Sequence, residues 1–164
     1  MVSVARHDMR EPLPLPDDSI DSSYSHMLFC MALTTGEVER LAGELRRVLR
    51  PGGLVVYTAR TTADAHYGTG RPRGDGMYEH GGFIVHFFDC ALIDRLAIGF
   101  ELIDVTDFTE GELPRRLARV TMRVPQRSIS GSEVLRWIDK SSAMRWSRLS
   151  RGSTICWTRP RSPT

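Results

Sequence analysis

The stretch Glu37-Val38-Glu39-Arg40-Leu41-Ala42-Gly43-Glu44-Leu45-Arg46-Arg47-Val48-Leu49-Arg50-Pro51-Gly52-Gly53-Leu54-Val55-Val56-Tyr57-Thr58 decides the fold class. Val38, Leu41, Leu45, Val48 and Leu49 recur at helical spacing and make one apolar stripe, which predicts a helix over 37–50. Thr34 and Glu37 fit the S/T-x-x-E capping box at its start. Arg46, Arg47 and Arg50 sit in the last turn, where cations favour the helix dipole. Pro51-Gly52-Gly53 stops the helix. Leu54 to Thr58 is then continuously apolar rather than alternating, the pattern of a strand buried on both faces. A helix that delivers the chain into such a strand is the repeating unit of an α/β domain.

Working outward, residues 2–7 read as a short strand with Val2 and Val4 on one face. Residues 11–19, Glu-Pro-Leu-Pro-Leu-Pro-Asp-Asp-Ser, exclude helix and inner strand because three prolines remove donors and fix φ. Residues 20–25 read as a strand. On the other side, the glycine-rich stretch from Tyr67 to Gly82 is too long for a simple connection and reads as a functional loop or lid. Asp89 is placed to cap a helix over 90–98, with Gly99 past its end. Residues 100–108 and 116–124 read as strands, the second by alternation of Ala118, Val120, Met122 and Val124 with Leu117, Arg119, Thr121 and Arg123. Their short connection, Thr109 to Arg115, predicts an antiparallel hairpin at the end of a mostly parallel sheet.

The net charge of +2 over 164 residues hides an asymmetry. Residues 125–164 carry eight basic and two acidic residues and all three tryptophans, which leaves residues 1–124 at −4. This break predicts a domain over 1–124 and a basic Ser/Arg/Trp tail, irregular, over 125–164. Basic residues with interleaved aromatics can bind nucleic acid, but the tail has little periodicity. An appended segment without an evolved role is the simpler reading, so a nucleic-acid partner is not expected. No apolar run reaches the roughly 20 residues of a membrane span, and the first residues lack a signal-peptide core. Three cysteines, odd in number and widely spaced, fit neither a disulfide framework nor a metal knot, and point to the cytoplasm.

Two motifs then identify a relative. Asp8-Met9-Arg10-Glu11-Pro12-Leu13-Pro14-Leu15-Pro16-Asp17-Asp18-Ser19-Ile20-Asp21 resembles the D-x-x-x-L-P-F-D-x-S-F-D segment of class I S-adenosylmethionine-dependent methyltransferases. Arg47-Val48-Leu49-Arg50-Pro51-Gly52-Gly53-Leu54 resembles their R-V-L-[KR]-P-G-G turn from helix to strand. The resemblance covers residues 1–124 and implies the second half of that domain: a partial Rossmann-like sheet of order 4-5-7-6 with the last strand antiparallel. The family's glycine-rich cofactor loop, G-x-G-x-G, has no counterpart here. On this scheme residues 1–19 are loosely attached and residues 20–25 form an exposed edge, open to self-association. A nicotinamide dehydrogenase shares the architecture but also needs a glycine fingerprint. A non-catalytic remnant, a half-domain completed by a partner chain and a basic-tailed binding module stay open as alternatives.

The resemblance implies S-adenosylmethionine as cofactor, a small-molecule methyl acceptor and the following site. Asp8 and Met9 occupy the place where the family holds the adenine; the alternative for Asp8 is a solvated turn acid. Ser25, His26 and Met27 follow a strand at its carboxyl end, where open α/β sheets bind ligands. His26 is the candidate catalytic base, its alternative being a polar residue beside a turn. Tyr67, Tyr78 and His86 lie in the lid and are candidates for acceptor contacts. No metal is expected, because His66, His80 and His86 share no tight ligand spacing.

Overall fold

The computed structural model describes residues 3–111 and 115–126. The basic tail from residue 127 onward lies outside the described residues, as do Val2 and residues 112–114. Residues Met1–Pro125 form one compact unit. Its elements are β1 (Ile20–His26), α1 (Thr35–Val48), β2 (Leu49–Arg60), β3 (Arg71–Gly74), β4 (Met77–His80), β5 (Phe83–His86), α2 (Cys90–Leu96), β6 (Glu101–Glu110) and β7 (Arg115–Arg123).

The main sheet has four strands in the order β1-β2-β7-β6. This is the 4-5-7-6 order that the resemblance implied. β1 runs parallel to β2, and β7 is antiparallel to both β2 and β6. Three of the four strands, β1, β2 and β6, therefore run in one direction, as expected, and the reversed β7 lies between β2 and β6, so two of the three pairings are antiparallel.

The sequence signals explain α1. Thr34 accepts from the Glu37 N–H while Glu37 Oε2 accepts from the Thr34 N–H at 2.7 Å, completing the capping box. Val38, Leu41, Ala42, Leu45 and Val48 are buried on its inner stripe. Val38, Leu41, Ala42 and Leu45 share one core with Val55, Tyr57 and Ala59 of β2 and Ala118, Val120 and Met122 of β7, which also takes in Leu92, Ile93 and Leu96 of α2. Asp89 caps α2, its Oδ1 accepting from the Leu92 N–H at 2.7 Å.

Helix α1 stops at Val48 because Leu49 is already extended and opens β2. Gly52 has φ +82°, and a Cβ on Gly53 would lie 2.8 Å from the Arg50 carbonyl oxygen. The two glycines thus carry a kink inside β2 that no larger residue fits. The kink also shifts the register: Ile20 faces Leu49, but Ser22 faces Leu54.

Three expectations are corrected. Residues 3–7 form no strand. Residues 13–19 are bolted down rather than loose. Proline leaves this run short of donors and its carbonyls without ladder partners, and Arg47 supplies what is missing. Its guanidinium donates to Leu13 O (3.0 Å), Leu15 O (2.9 Å) and Asp17 Oδ1 (2.7 Å), and Glu44 accepts from the Leu13 N–H at 2.9 Å. Asp18 and Ser19 then donate to the Arg47 and Val48 carbonyls at the end of α1. The third correction concerns the glycine-rich stretch, which folds as a three-stranded antiparallel sheet, β3-β4-β5. Gly81 and Gly82 have φ +59° and +84°, as a two-residue hairpin turn between β4 and β5 requires. Asp75 ties this small sheet to α1 by accepting from the Thr35 hydroxyl at 2.7 Å and from the Thr35 N–H.

Candidate cofactor and acceptor site

A cavity of about 550 Å3 lies between residues 6–10 and the segment that follows β1. Asp8 is the carboxylate in its lining, and Met9, Leu28, Met31 and Leu33 give apolar walls. The wall segment is shaped by backbone that L-residues seldom adopt: Met27 and Ala32 have φ +56° and +53°. Such conformations cost about 1–3 kcal/mol each and concentrate at ligand sites. The Met27 N–H donates to both the carbonyl and the hydroxyl of Thr58, each at 3.0 Å, which anchors the turn out of β1.

Asp8 is held by Arg10. The Arg10 N–H donates to Oδ1 at 3.0 Å, and Nη1 donates to Oδ1 and Oδ2 at 3.3 and 3.1 Å. The backbone N–H and then the guanidinium charge keep the Asp8 carboxyl below its ordinary range. Arg10 Nε also lies 3.6 Å from Glu37 Oε1.

The three residues at the end of β1 do different things. The Ser25 Oγ is buried and finds no hydrogen-bond partner. Nδ1 of His26 meets Thr58 Oγ1 at 2.9 Å, and Nε2 lies 3.4 Å from Glu110 Oε2. Because Thr58 Oγ1 already accepts from the Met27 N–H, its proton is free for His26 Nδ1. On the Nε2–H tautomer Thr58 donates to Nδ1 and the Nε2–H faces Glu110. Met27 is half-buried against the core.

The lid candidates separate. Tyr67 and Tyr78 pack edge-to-face at 5.5 Å, and both lie against Phe87. Tyr67 remains exposed. His86 is instead buried in the core, its Nδ1 2.8 Å from Leu33 O and its ring against Phe88. His66 and His80 come together, with ring centroids 5.1 Å apart, and His86 is not with them. Among the described residues no group of three or more His, Cys, Asp or Glu is arranged to hold a metal.

Sequence reasoning missed a buried knot after β2. Arg60 donates to Asp64 through Nε at 3.1 Å and Nη2 at 2.5 Å. Asp64 also accepts from the His66 and Arg116 N–H groups at 2.9 and 2.8 Å. Arg60 Nη2 reaches His66 Nδ1 at 2.8 Å, and the guanidinium lies over Phe87. Burial pushes the Asp64 carboxyl up, but the Arg60 bonds and the two backbone N–H groups outweigh it and hold it below its ordinary range. The signal present in the sequence was an arginine closing an apolar strand with an aspartate four residues later.

Residues 2–57 match the family described as a methyltransferase domain. A SAM-dependent methyltransferase structure from Methanosarcina mazei aligns with TM-score 0.63 at 16% identity, covering 74% of this chain and 66% of that one. The fold is that of a class I methyltransferase, and residues 2–57 are similar to that family's domain. The N-methyltransferase NodS from Bradyrhizobium japonicum, solved with S-adenosyl-L-homocysteine, aligns with TM-score 0.55 at 11% identity, covering 74% of this chain and 54% of its own. A Burkholderia thailandensis 1,6-didemethyltoxoflavin-N1-methyltransferase, solved with 1,6-didemethyltoxoflavin and S-adenosylhomocysteine, aligns with TM-score 0.54 at 16% identity, covering 72% and 48%. The chain thus spans about half to two thirds of the length of these structures. No curated protein matches it. Among the described residues no helix is long and apolar enough to cross a membrane.

Proposed function

We propose that in the cytoplasm this chain takes S-adenosylmethionine into the cavity beside Asp8, in support of methyl transfer to a small-molecule acceptor. The observation that carries the reading is the cavity itself. It joins a carboxylate to apolar walls in the part of the fold that follows β1, and its volume of about 550 Å3 lies within the roughly 300–1,000 Å3 of ligand pockets. The adenine end of the cofactor fits these residues. Asp8 accepts from the exocyclic amine, the Met9 backbone reaches the ring edge, and Leu28, Met31 and Leu33 cover its faces. The unpaired Ser25 hydroxyl and the Met27 turn border the same ligand.

When bound, the cofactor supplies a methyl group on a sulfonium centre, and the protein's task is then alignment and exclusion of water. Tyr67 and Tyr78 offer an aromatic surface to the acceptor, and His86 buttresses it from the core. His26 handles the acceptor's proton or holds its polar atom. To act as a base through Nε2, it must leave Glu110 and carry its proton on Nδ1 instead.

Calorimetric titration of S-adenosylmethionine and S-adenosylhomocysteine into the chain tests this. Binding at or below the millimolar range is expected, weakened about tenfold or more by Asp8→Asn. Absence of heat up to the millimolar range in the unsubstituted chain would falsify it.

One observation favours a second reading, a half-domain that completes its sheet with another chain. Among the described residues β1 pairs on one side only, with β2, and Tyr24 in it is 71% exposed. Unpaired strand edges recruit partners. Light scattering over a concentration series reads this out: a monomer at all concentrations removes self-association.

A further inference from the structure

The carboxylate that is to recognise the base already has a partner. Arg10 donates to both Asp8 oxygens through Nη1, at 3.3 and 3.1 Å, and adds its own backbone N–H at 3.0 Å. An amine arriving from a ligand therefore meets a carboxylate with three of its acceptor positions in use, two on Oδ1 and one on Oδ2. The same arginine has a second anchor within reach, since its Nε is 3.6 Å from Glu37 Oε1. Both members of the Asp8–Arg10 pair are half-exposed, at 54% and 48%. Pairs of this kind are weak and screened by salt. They can be displaced by a ligand, but not without a loss of affinity.

We propose that Arg10 competes with the ligand's base for Asp8 and so sets the base selectivity of the cavity. This rests on the reading of the cavity as a nucleoside site. With Arg10 on Asp8, the base edge faces a guanidinium, which donates and suits a ring carbonyl. With Arg10 swung to Glu37, the edge faces a bare carboxylate, which accepts and suits an exocyclic amine. Adenosine has the amine and inosine has the carbonyl at the same ring position, so the two distinguish the two states. Arg10 lowers affinity for the amine-bearing base and raises tolerance of the carbonyl-bearing one.

The test compares the full chain with Arg10→Met and Asp8→Asn, each titrated with adenosine and with inosine. Arg10→Met keeps the apolar stem and removes the donors. It is expected to tighten adenosine binding about 3- to 10-fold and to leave inosine unchanged or weaker. In the unsubstituted chain, raising sodium chloride screens the ion pair and tightens adenosine binding, a trend absent from Arg10→Met. Adenosine affinity that is unchanged or weaker in Arg10→Met overturns the role of Arg10 while leaving the nucleoside site standing. Adenosine binding to none of the three proteins overturns the nucleoside site and the role of Arg10 together.

Discussion

The chain contains two aspartate–arginine pairs with opposite fates, Asp8–Arg10 beside the cavity and Arg60–Asp64 after β2. The first is 54% and 48% exposed, and its partners are two residues apart in one turn. The second is 0% and 10% exposed for Asp64 and Arg60. It gathers N–H groups from His66 and from Arg116 on a distant strand. The chemistry of the two pairs is the same; burial decides what each can do. A buried carboxylate whose acceptor positions are filled by the fold stabilises the fold and offers nothing to a ligand. An exposed one, held by a neighbour that can leave, is available for recognition.

The sharpest way to break that contrast is at Asp64. Asp64→Ala strands the buried Arg60 guanidinium and leaves the Arg116 N–H without its acceptor. Removing one member of a buried pair costs about 3–5 kcal/mol. Urea unfolding of the variant should show a loss of that size; a loss below about 1 kcal/mol would place the pair in the surface class with Asp8.

Acid gives the next effect. The Asp64 carboxyl is held below its ordinary range by Arg60 and the backbone N–H groups, against burial. Its contribution is therefore present above the unfolded value of about 3.9 and is lost as pH falls through the lower folded value. The stability gap between the unsubstituted chain and Asp64→Asn should be constant at neutral pH and shrink below about pH 4. A gap that stays the same down to pH 3 would show that the carboxylate's charge is not what matters there.

An intermediate case lies at Arg47, half-buried and shared among Glu44, Asp17 and two carbonyls. Its bonds hold the proline-rich run against α1, so its loss should free that run without unfolding the sheet. Arg47→Met is expected to speed amide exchange at Leu13 and proteolysis within residues 11–19 several-fold, with the exchange of β2 and β7 unchanged. Uniformly faster exchange would mean that the run is part of the core rather than a strap on it.

How much of this was legible in the sequence follows the range of the interactions. The capping box at Thr34, the cap at Asp89 and the strand order were legible because each is written in local pattern or in a motif. The β3-β4-β5 sheet was read as a loop, since its strands are short and glycine at the turns looks like glycine in a loop. The strap on residues 13–19 was missed because proline signals what a segment cannot form, while its partner Arg47 lies a helix away in sequence. The pairing of His26 with Glu110, from opposite sides of the sheet, has no local signal at all. Asp64 has a local signal only in Arg60, four residues earlier; its other donors, the His66 and Arg116 N–H groups, have none. Asp8 and Met9 were singled out through a motif, and the structure places Arg10 on the Asp8 carboxylate, which the motif does not weigh.

The smallest expected effect sharpens the comparison most. Arg10 and Asp8 bond mainly to each other, and Arg10 reaches Glu37 only at 3.6 Å. Neither is buried among groups that would be left without partners. Arg10→Met and Asp8→Asn should each leave the urea midpoint within experimental scatter of the unsubstituted chain, because exposed pairs of this geometry contribute little to folding. A stability-neutral pair whose removal changes ligand affinity is a recognition device, and a pair whose removal unfolds the chain is a strut. If Asp8→Asn lowered the midpoint as Asp64→Ala does, the turn at residues 8–11 would be holding the fold. The Glu11 N–H bond to Asp8 O at 3.0 Å would then be part of a structural corner rather than the rim of a site. A midpoint unmoved by Asp8→Asn leaves ligand binding as the property that distinguishes this carboxylate from Asp64.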